Sequence, residues 1–197
     1  VDNEGVTAPE TVTFELAGDA AKQMTAQDLE LGNPDKGLAG KLGEGNGRWR
    51  LVIASTLSIS AQSLIRTPDG FLVNVSMPVT PNETGSSTVS FFNPACNTEQ
   101  HSFIRLVNTD AQSTAVTISG VDDAGQMAPN GDVSLTLAAG HSVELSAADL
   151  EEGNSVLQLL GSLGTGSGRW RLHVASDSAV SVVSYVLTSE GFLTNMS

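Results

Sequence analysis

The hydrophobic and polar positions alternate along much of the chain, and the alternation is written twice. Val12, Phe14 and Leu16 interleave with Thr13 and Glu15; Val133, Leu135 and Leu137 do the same later. Trp49, Leu51 and Ile53 share one phase, with Arg48, Arg50 and Val52 on the other; Trp170, Leu172 and Val174 repeat this against Arg169, Arg171 and His173. A period of two predicts half-buried strands. Further strands are predicted over 57–65 and 179–187, the second rich in Val and Tyr as a buried strand should be. Phe71-Leu72 and Phe192-Leu193 open a last short strand, after turn-forming residues at 67–70 and 188–191. A short strand is also expected to end at Met24 and at Leu145.

These pairs of segments lie 121 positions apart. From Leu42 to Ser76, 18 of 35 residues equal their partners between Leu163 and Ser197; chance would give about two, so this is an internal repeat. Val1-Asp2-Asn3-Glu4-Gly5 matches Val121-Asp122-Asp123-Ala124-Gly125. The chain is therefore expected to open partway through a unit. Thr25 and Ser146 each stand three residues before an acid, Asp28 and Asp149, the pattern that caps one helical turn, with Gly32 and Gly153 to stop it. The stretch from Gly32 to Leu42 reads as loop, and 156–160 fits helix or strand equally.

From Thr88 a segment begins that has no counterpart in the first copy, with strands expected at 89–92, 103–107 and 115–118. The two units are then 1–77, lacking its N-terminal strands, and 78–197, complete, with a Pro- and Asn-containing linker at about 77–87. The complete unit has roughly seven or eight short strands, turn signals about every 8–12 residues and almost no helix, which predicts an antiparallel β-sandwich. A unit short of three strands would expose core and unpaired edges. The missing strands come from upstream sequence, from 88–118 packing on the first unit, or from another chain.

Composition narrows the function classes. The net charge of −13 opposes nucleic acid and anionic membrane as partners, and no apolar run reaches the roughly 18 residues of a membrane span. The single cysteine, Cys96, excludes an intramolecular disulfide framework and reads as a small buried residue. The glycine-rich loops Gly43-x-Gly45-x-Gly47 and Gly164-x-Gly166-x-Gly168 precede a strand, whereas a dinucleotide fingerprint follows one, so they read as tight turns.

Two site hypotheses remain. Asp122, Asp123, Asn130 and Asp132 crowd one inter-strand loop, and their oxygens suit Ca²⁺, the one cofactor the sequence suggests. Arg48, Arg50, Arg169 and Arg171 flank tryptophans and could bind a ligand, above all a sugar, if the indoles were exposed; their phase places Trp49 and Trp170 in the core instead. Neither the three histidines nor any nucleophile motif forms a catalytic constellation, so no enzyme activity is expected.

At Phe91-Phe92-Asn93-Pro94-Ala95, Ile104-Arg105-Leu106-Val107-Asn108, Val121-Asp122-Asp123-Ala124-Gly125 and Gly168-Arg169-Trp170-Arg171-Leu172 the chain resembles Ig-like β-sandwich repeat modules of large secreted or surface bacterial proteins. The resemblance implies an all-β fold of tandem Ig-like antiparallel sandwiches with at most short helical turns. It also implies an extracellular or cell-surface setting and a non-catalytic structural or adhesive role. The alternative is a carbohydrate-binding accessory module of a secreted hydrolase or protease. The implied partners are neighbouring modules, other copies of the chain or polysaccharide.

Overall fold

A computed structural model of the chain describes residues 1–67, 70–76 and 85–196. Its strands are β1 (Leu64–Arg66), β2 (Leu72–Asn74), β3 (Ser86–Phe92), β4 (Gln100–Asn108), β5 (Thr114–Asp122), β6 (Val133–Leu137), β7 (Ser142–Ser146), β8 (Trp170–Ser176), β9 (Val180–Thr188) and β10 (Leu193–Asn195). Two six-residue helices, α1 (Ala26–Leu31) and α2 (Ala147–Glu152), and a 3₁₀ turn over Pro34–Lys36 complete it. The fold is mostly β, and its strand pairs are antiparallel. By compactness the chain divides into Val1–Ala54 and Ser55–Ser197. The expected linker at 77–87 lies largely outside the described residues, as do Pro68 and Asp69 of the first predicted turn.

In the second compact unit two four-stranded sheets, ordered β10-β9-β4-β7 and β3-β8-β5-β6, enclose one core. Alternation decides which side chains enter it. Val116 and Ile118 of β5, Trp170, Leu172 and Val174 of β8, and Val133, Leu135 and Leu137 of β6 face inward from one sheet; Ile104 and Leu106 of β4 and Leu145 of β7 meet them from the other. Arg171 and His173, out of phase, are exposed. One residue breaks the period usefully. Between Val89 and Phe92 β3 slips against β8, Val89 pairing with Leu172 and Phe92 with Trp170. That bulge lets Val89 and Phe92, an odd number of positions apart, both point into the core. Asn108 closes the far end, donating from Nδ2 to the carbonyls of Gln112, Leu137 and Ala138 while fully buried.

The strands expected at 89–92, 103–107 and 115–118 thus belong to the sandwich of the second copy. Their packing on the first copy, one of the three expectations for the missing strands, is not what the structure contains.

The first compact unit, Val1–Ala54, corrects the sequence reading most. Strands were expected over 12–16, up to Met24 and over 48–53. Of these only a single bridge forms, Thr13 with Ala39. Leu51, Val52 and Ile53 are 49%, 80% and 52% exposed, where their counterparts Leu172 and Val174 are 0% and 2%. The physical reason is the partner strands. β8 is held by β3 on one edge and β5 on the other, and the first copy has no such strands among the described residues. The expected strand over 57–65 is likewise reduced to β1, which pairs only with β2.

What does recur is local. α1 and α2 have the same capping box, Thr25 with Asp28 and Ser146 with Asp149, and end at Gly32 and Gly153 with φ of 79° and 81°. The β1–β2 and β9–β10 hairpins share a register, Arg66 opposite Leu72 and Leu187 opposite Leu193. The segment 156–160 is neither helix nor strand but a turn ending in the Ser134–Leu160 bridge. The two hairpins also meet at equivalent positions: Phe71 packs edge-on against Phe192 with centroids 5.0 Å apart, and the Asn195 amide donates to the Asn74 carbonyl. Contacts between equivalent residues are the mark of a local two-fold relation.

Candidate functional site

The chemistry-bearing residues converge where the turn after β5 meets the glycine-rich loop before β8. Asp122 ends β5 with its side chain turned inward and 5% exposed. Its Oδ1 accepts from the Gln126 amide and its Oδ2 from the Ser167 amide, both at 2.8 Å. One carboxylate thereby closes its own turn and ties it to a loop 45 residues away. The Ser167 amide, and then that of Gln126, hold the Asp122 carboxyl below the usual carboxylate range, against the opposing effect of burial. Asp123 lies beside it, exposed, its Oδ2 accepting from the Arg169 amide at 2.9 Å.

The first copy builds the same clamp. Asp2 Oδ1 accepts from Val6 at 2.9 Å and Oδ2 from Asn46 at 3.0 Å. The Asn46 amide is the leading cause of a lowered Asp2 carboxyl.

Behind the clamp stands the tryptophan. Trp170 is 1% exposed and donates from Nε1 to Glu151 Oε1 at 2.8 Å; that same oxygen accepts from the Ala95 amide at 3.2 Å. Trp49 donates to Glu30 Oε1 at the same 2.8 Å. The middle glycine of each loop explains itself here: a Cβ on Gly166 would lie 2.5 Å from the Trp170 ring, and one on Gly45 2.4 Å from that of Trp49. The loops are thus turns that let an indole approach the backbone. The glutamates were missed in the sequence reading, although a signal existed, since each stands 19 residues before its Trp.

The predicted calcium ligands fall out as follows. Asp122 and Asp123 share the clamp, with their oxygens on backbone amides. Asn130 donates to Ser162 Oγ at 3.0 Å, and Asp132 is exposed at the start of β6. Among the described residues no three His, Cys, Asp or Glu side chains form a group that could hold a metal ion.

The predicted arginines are dispersed in role. Arg169 lies over the Phe91 ring, 4.9 Å from its centroid. Arg171 is exposed on the outer face of β8, opposite Val121. Arg48 is exposed and Arg50 half-buried, the latter exchanging backbone bonds with Val1. The core phase expected for Trp170 is observed. Trp49 departs from it, being half-buried beside the exposed Leu51 and Ile53. Cys96, expected buried, is exposed, because it sits in the turn after β3 rather than on a strand.

The clamp predicts an acid response. A carboxyl whose folded pKa is depressed stabilises the fold above its unfolded pKa of about 4 and loses that contribution as pH falls. Asp2, Asp28, Asp122 and Asp149 are all depressed, so the urea midpoint is expected to fall below about pH 4. Asp122→Asn removes one acceptor oxygen. It should lower the midpoint at pH 7 and shrink the difference between pH 7 and pH 3.

No helix of the described residues is long and apolar enough to cross a membrane. No family model matches the chain, and no curated protein matches it. Among solved structures it is similar to the Anabaena sensory rhodopsin transducer at 12% identity and a TM-score of 0.39, over 52% of this chain and 96% of that one.

Proposed function

We propose that the chain holds one Ig-like β-sandwich repeat module and part of a second copy of it, with a non-catalytic structural or adhesive role in a secreted or cell-surface bacterial protein. The observation that carries this reading is how the chemistry-bearing side chains are spent. Asp122, Asp123, Glu151 and Trp170 hold a turn, a loop and a core together. The same bonds recur in the first copy through Asp2, Glu30 and Trp49. Residues kept for a scaffold are expected to bond backbone in this way. The contact of Phe71 with Phe192 supports neighbouring modules as partners.

A second reading, a carbohydrate-binding accessory module, is favoured by the outer face of β3-β8-β5. There Thr88, His173 and Ser119 lie side by side in one register row next to the exposed Arg171. A flat polar face of this kind can hydrogen-bond sugar hydroxyls. The chain is to be passed over a panel of insoluble polysaccharides with calcium and with EDTA. The structural reading expects no saturable retention. Retention on one polymer, lost in Arg50→Ala and Arg171→Ala, would replace it with the second, and dependence on calcium would add the metal.

A further inference from the structure

Two asparagines are followed by glycine, at Asn46-Gly47 and Asn130-Gly131. In that pair the side-chain amide is open to attack by the next backbone nitrogen, because glycine has no Cβ to hinder the approach. Both asparagines are exposed in loops. In both, the backbone N–H and the side-chain amide are engaged. Asn46 donates to Asp2 Oδ2 and to Glu4 Oε1; Asn130 donates to the Leu163 carbonyl and to Ser162 Oγ. They differ at the glycine. The Gly131 N–H donates to the Ala128 carbonyl at 3.1 Å. The Gly47 N–H makes no hydrogen bond among the described residues, so none has to break before its nitrogen turns on Asn46.

The place of Asn46 gives the reaction a consequence. Its backbone amide ties the glycine-rich loop to Asp2, and its side chain holds Glu4, which lies in the turn that Asp2 closes through the amides of Glu4 and Val6. The corresponding residue of the second clamp is Ser167. It makes the same backbone bond, to Asp122, and has no amide to lose.

We propose that Asn46 is a modification site that deamidates spontaneously through its own backbone, and that the change opens the clamp of the first copy while that of the second stays closed. The Gly47 nitrogen gives up its proton and attacks Asn46 Cγ. The N–Cγ bond forms, the Cγ–Nδ2 bond breaks, and ammonia leaves with that proton. Water then opens the cyclic imide at one carbonyl or the other, leaving aspartate or isoaspartate. No oxidant and no second protein takes part. Either product turns the donor to Glu4 into a carboxylate, a further negative charge beside Glu4 and Asp2, which repel it. The isoaspartyl form also takes the Asn46 carbonyl, which accepts from the Asn3 amide, out of the main chain.

The test ages the full chain at neutral and at mildly alkaline pH. Mass spectrometry follows the tryptic peptide 42–48, whose one asparagine is Asn46. The peptide should gain the mass difference between amide and acid, faster at the higher pH because the attacking nitrogen must lose its proton. Fragmentation of the tryptic peptide 106–169 reads Asn130. That residue should react about two- to tenfold more slowly, the effect of giving up one hydrogen bond. In the aged chain hydrogen exchange at the Val6 amide should speed up, while exchange at Gln126 stays as it was. Asn46→Ser, which copies the second clamp, should remove the mass gain in 42–48 and keep Val6 protected on ageing. No mass gain in 42–48, or equal rates at the two asparagines, overturns the choice of Asn46. Unchanged exchange at Val6 in the modified chain overturns the opening of the clamp.

Discussion

Replacing Trp170 with Ala is expected to destabilise the β-sandwich by about 3–5 kcal/mol, the usual cost of emptying a buried aromatic site. Trp49→Ala is expected to cost the first unit only about 1–2 kcal/mol, scaled to its partial burial. The two residues have the same sequence surroundings and the same indole bond, to Glu151 and Glu30. They differ in what lies over the ring. Trp170 sits among β3, β5 and the glycine-rich loop, with Phe92 opposite in the ladder and Gly120 and Gly166 against its faces. Trp49 has Gly45 but, among the described residues, no strands on either side of Leu51–Ile53. Urea unfolding followed by circular dichroism measures both variants, and in Trp170→Ala the fluorescence that remains reports Trp49 alone. Equal losses would mean that the first unit has a core like the second. Domains of this size are typically stable by only about 5–15 kcal/mol, so the larger loss would be a substantial part of the whole.

Gly161→Ala is expected to cost about 2–4 kcal/mol. Gly161 has φ of +84°, where an L side chain is strained by about 1–2 kcal/mol. A Cβ there would also lie 2.4 Å from the Asp132 carbonyl oxygen, on the backbone that leads into β6. Relief requires the loop to pull away from β6, breaking the Ser134–Leu160 bridge, whose two bonds are each 2.8 Å. With a urea slope of about 1–3 kcal/mol per molar, the midpoint should fall by about 1–2 M. The equivalent Gly40→Ala faces the Thr11 carbonyl at 2.2 Å with φ of +84°. It should disturb the Thr13–Ala39 bridge while leaving the main transition in place. A Gly161→Ala chain with an unchanged midpoint would show that the loop is free to move.

The legible part of this protein was local. Thr25 with Asp28, and Ser146 with Asp149, specify a capped turn through bonds that span three residues, and both form as read. The glycine-rich loops were legible as turns for the same reason. The inward phase of Trp170, Leu172 and Val174 followed from the pleat alone. The clamp was half legible: the aspartates at 122 and 123 stood out, but as oxygen donors for a cation. That both oxygens of Asp122 would be taken by amides at 126 and 167 depends on a loop 45 residues away.

The sequence by itself determined the repeat, the turns, the caps and the face each strand would bury, because each rests on near neighbours. That residues 88–118 have no counterpart in the first copy was also read from the sequence; only the tertiary structure showed that residues 48–53 then form no strand at all. Arg48-Trp49-Arg50-Leu51 and Arg169-Trp170-Arg171-Leu172 are the same residues, yet one lies outside any strand, half-buried at Trp49 and Arg50 and exposed at Leu51, and the other is the centre of a sheet. A strand has no bonds of its own to satisfy its backbone, so it exists where neighbours pair with it. β3 and β5 supply those neighbours to β8, and nothing in the alternation of residues 48–53 could say whether they would be there.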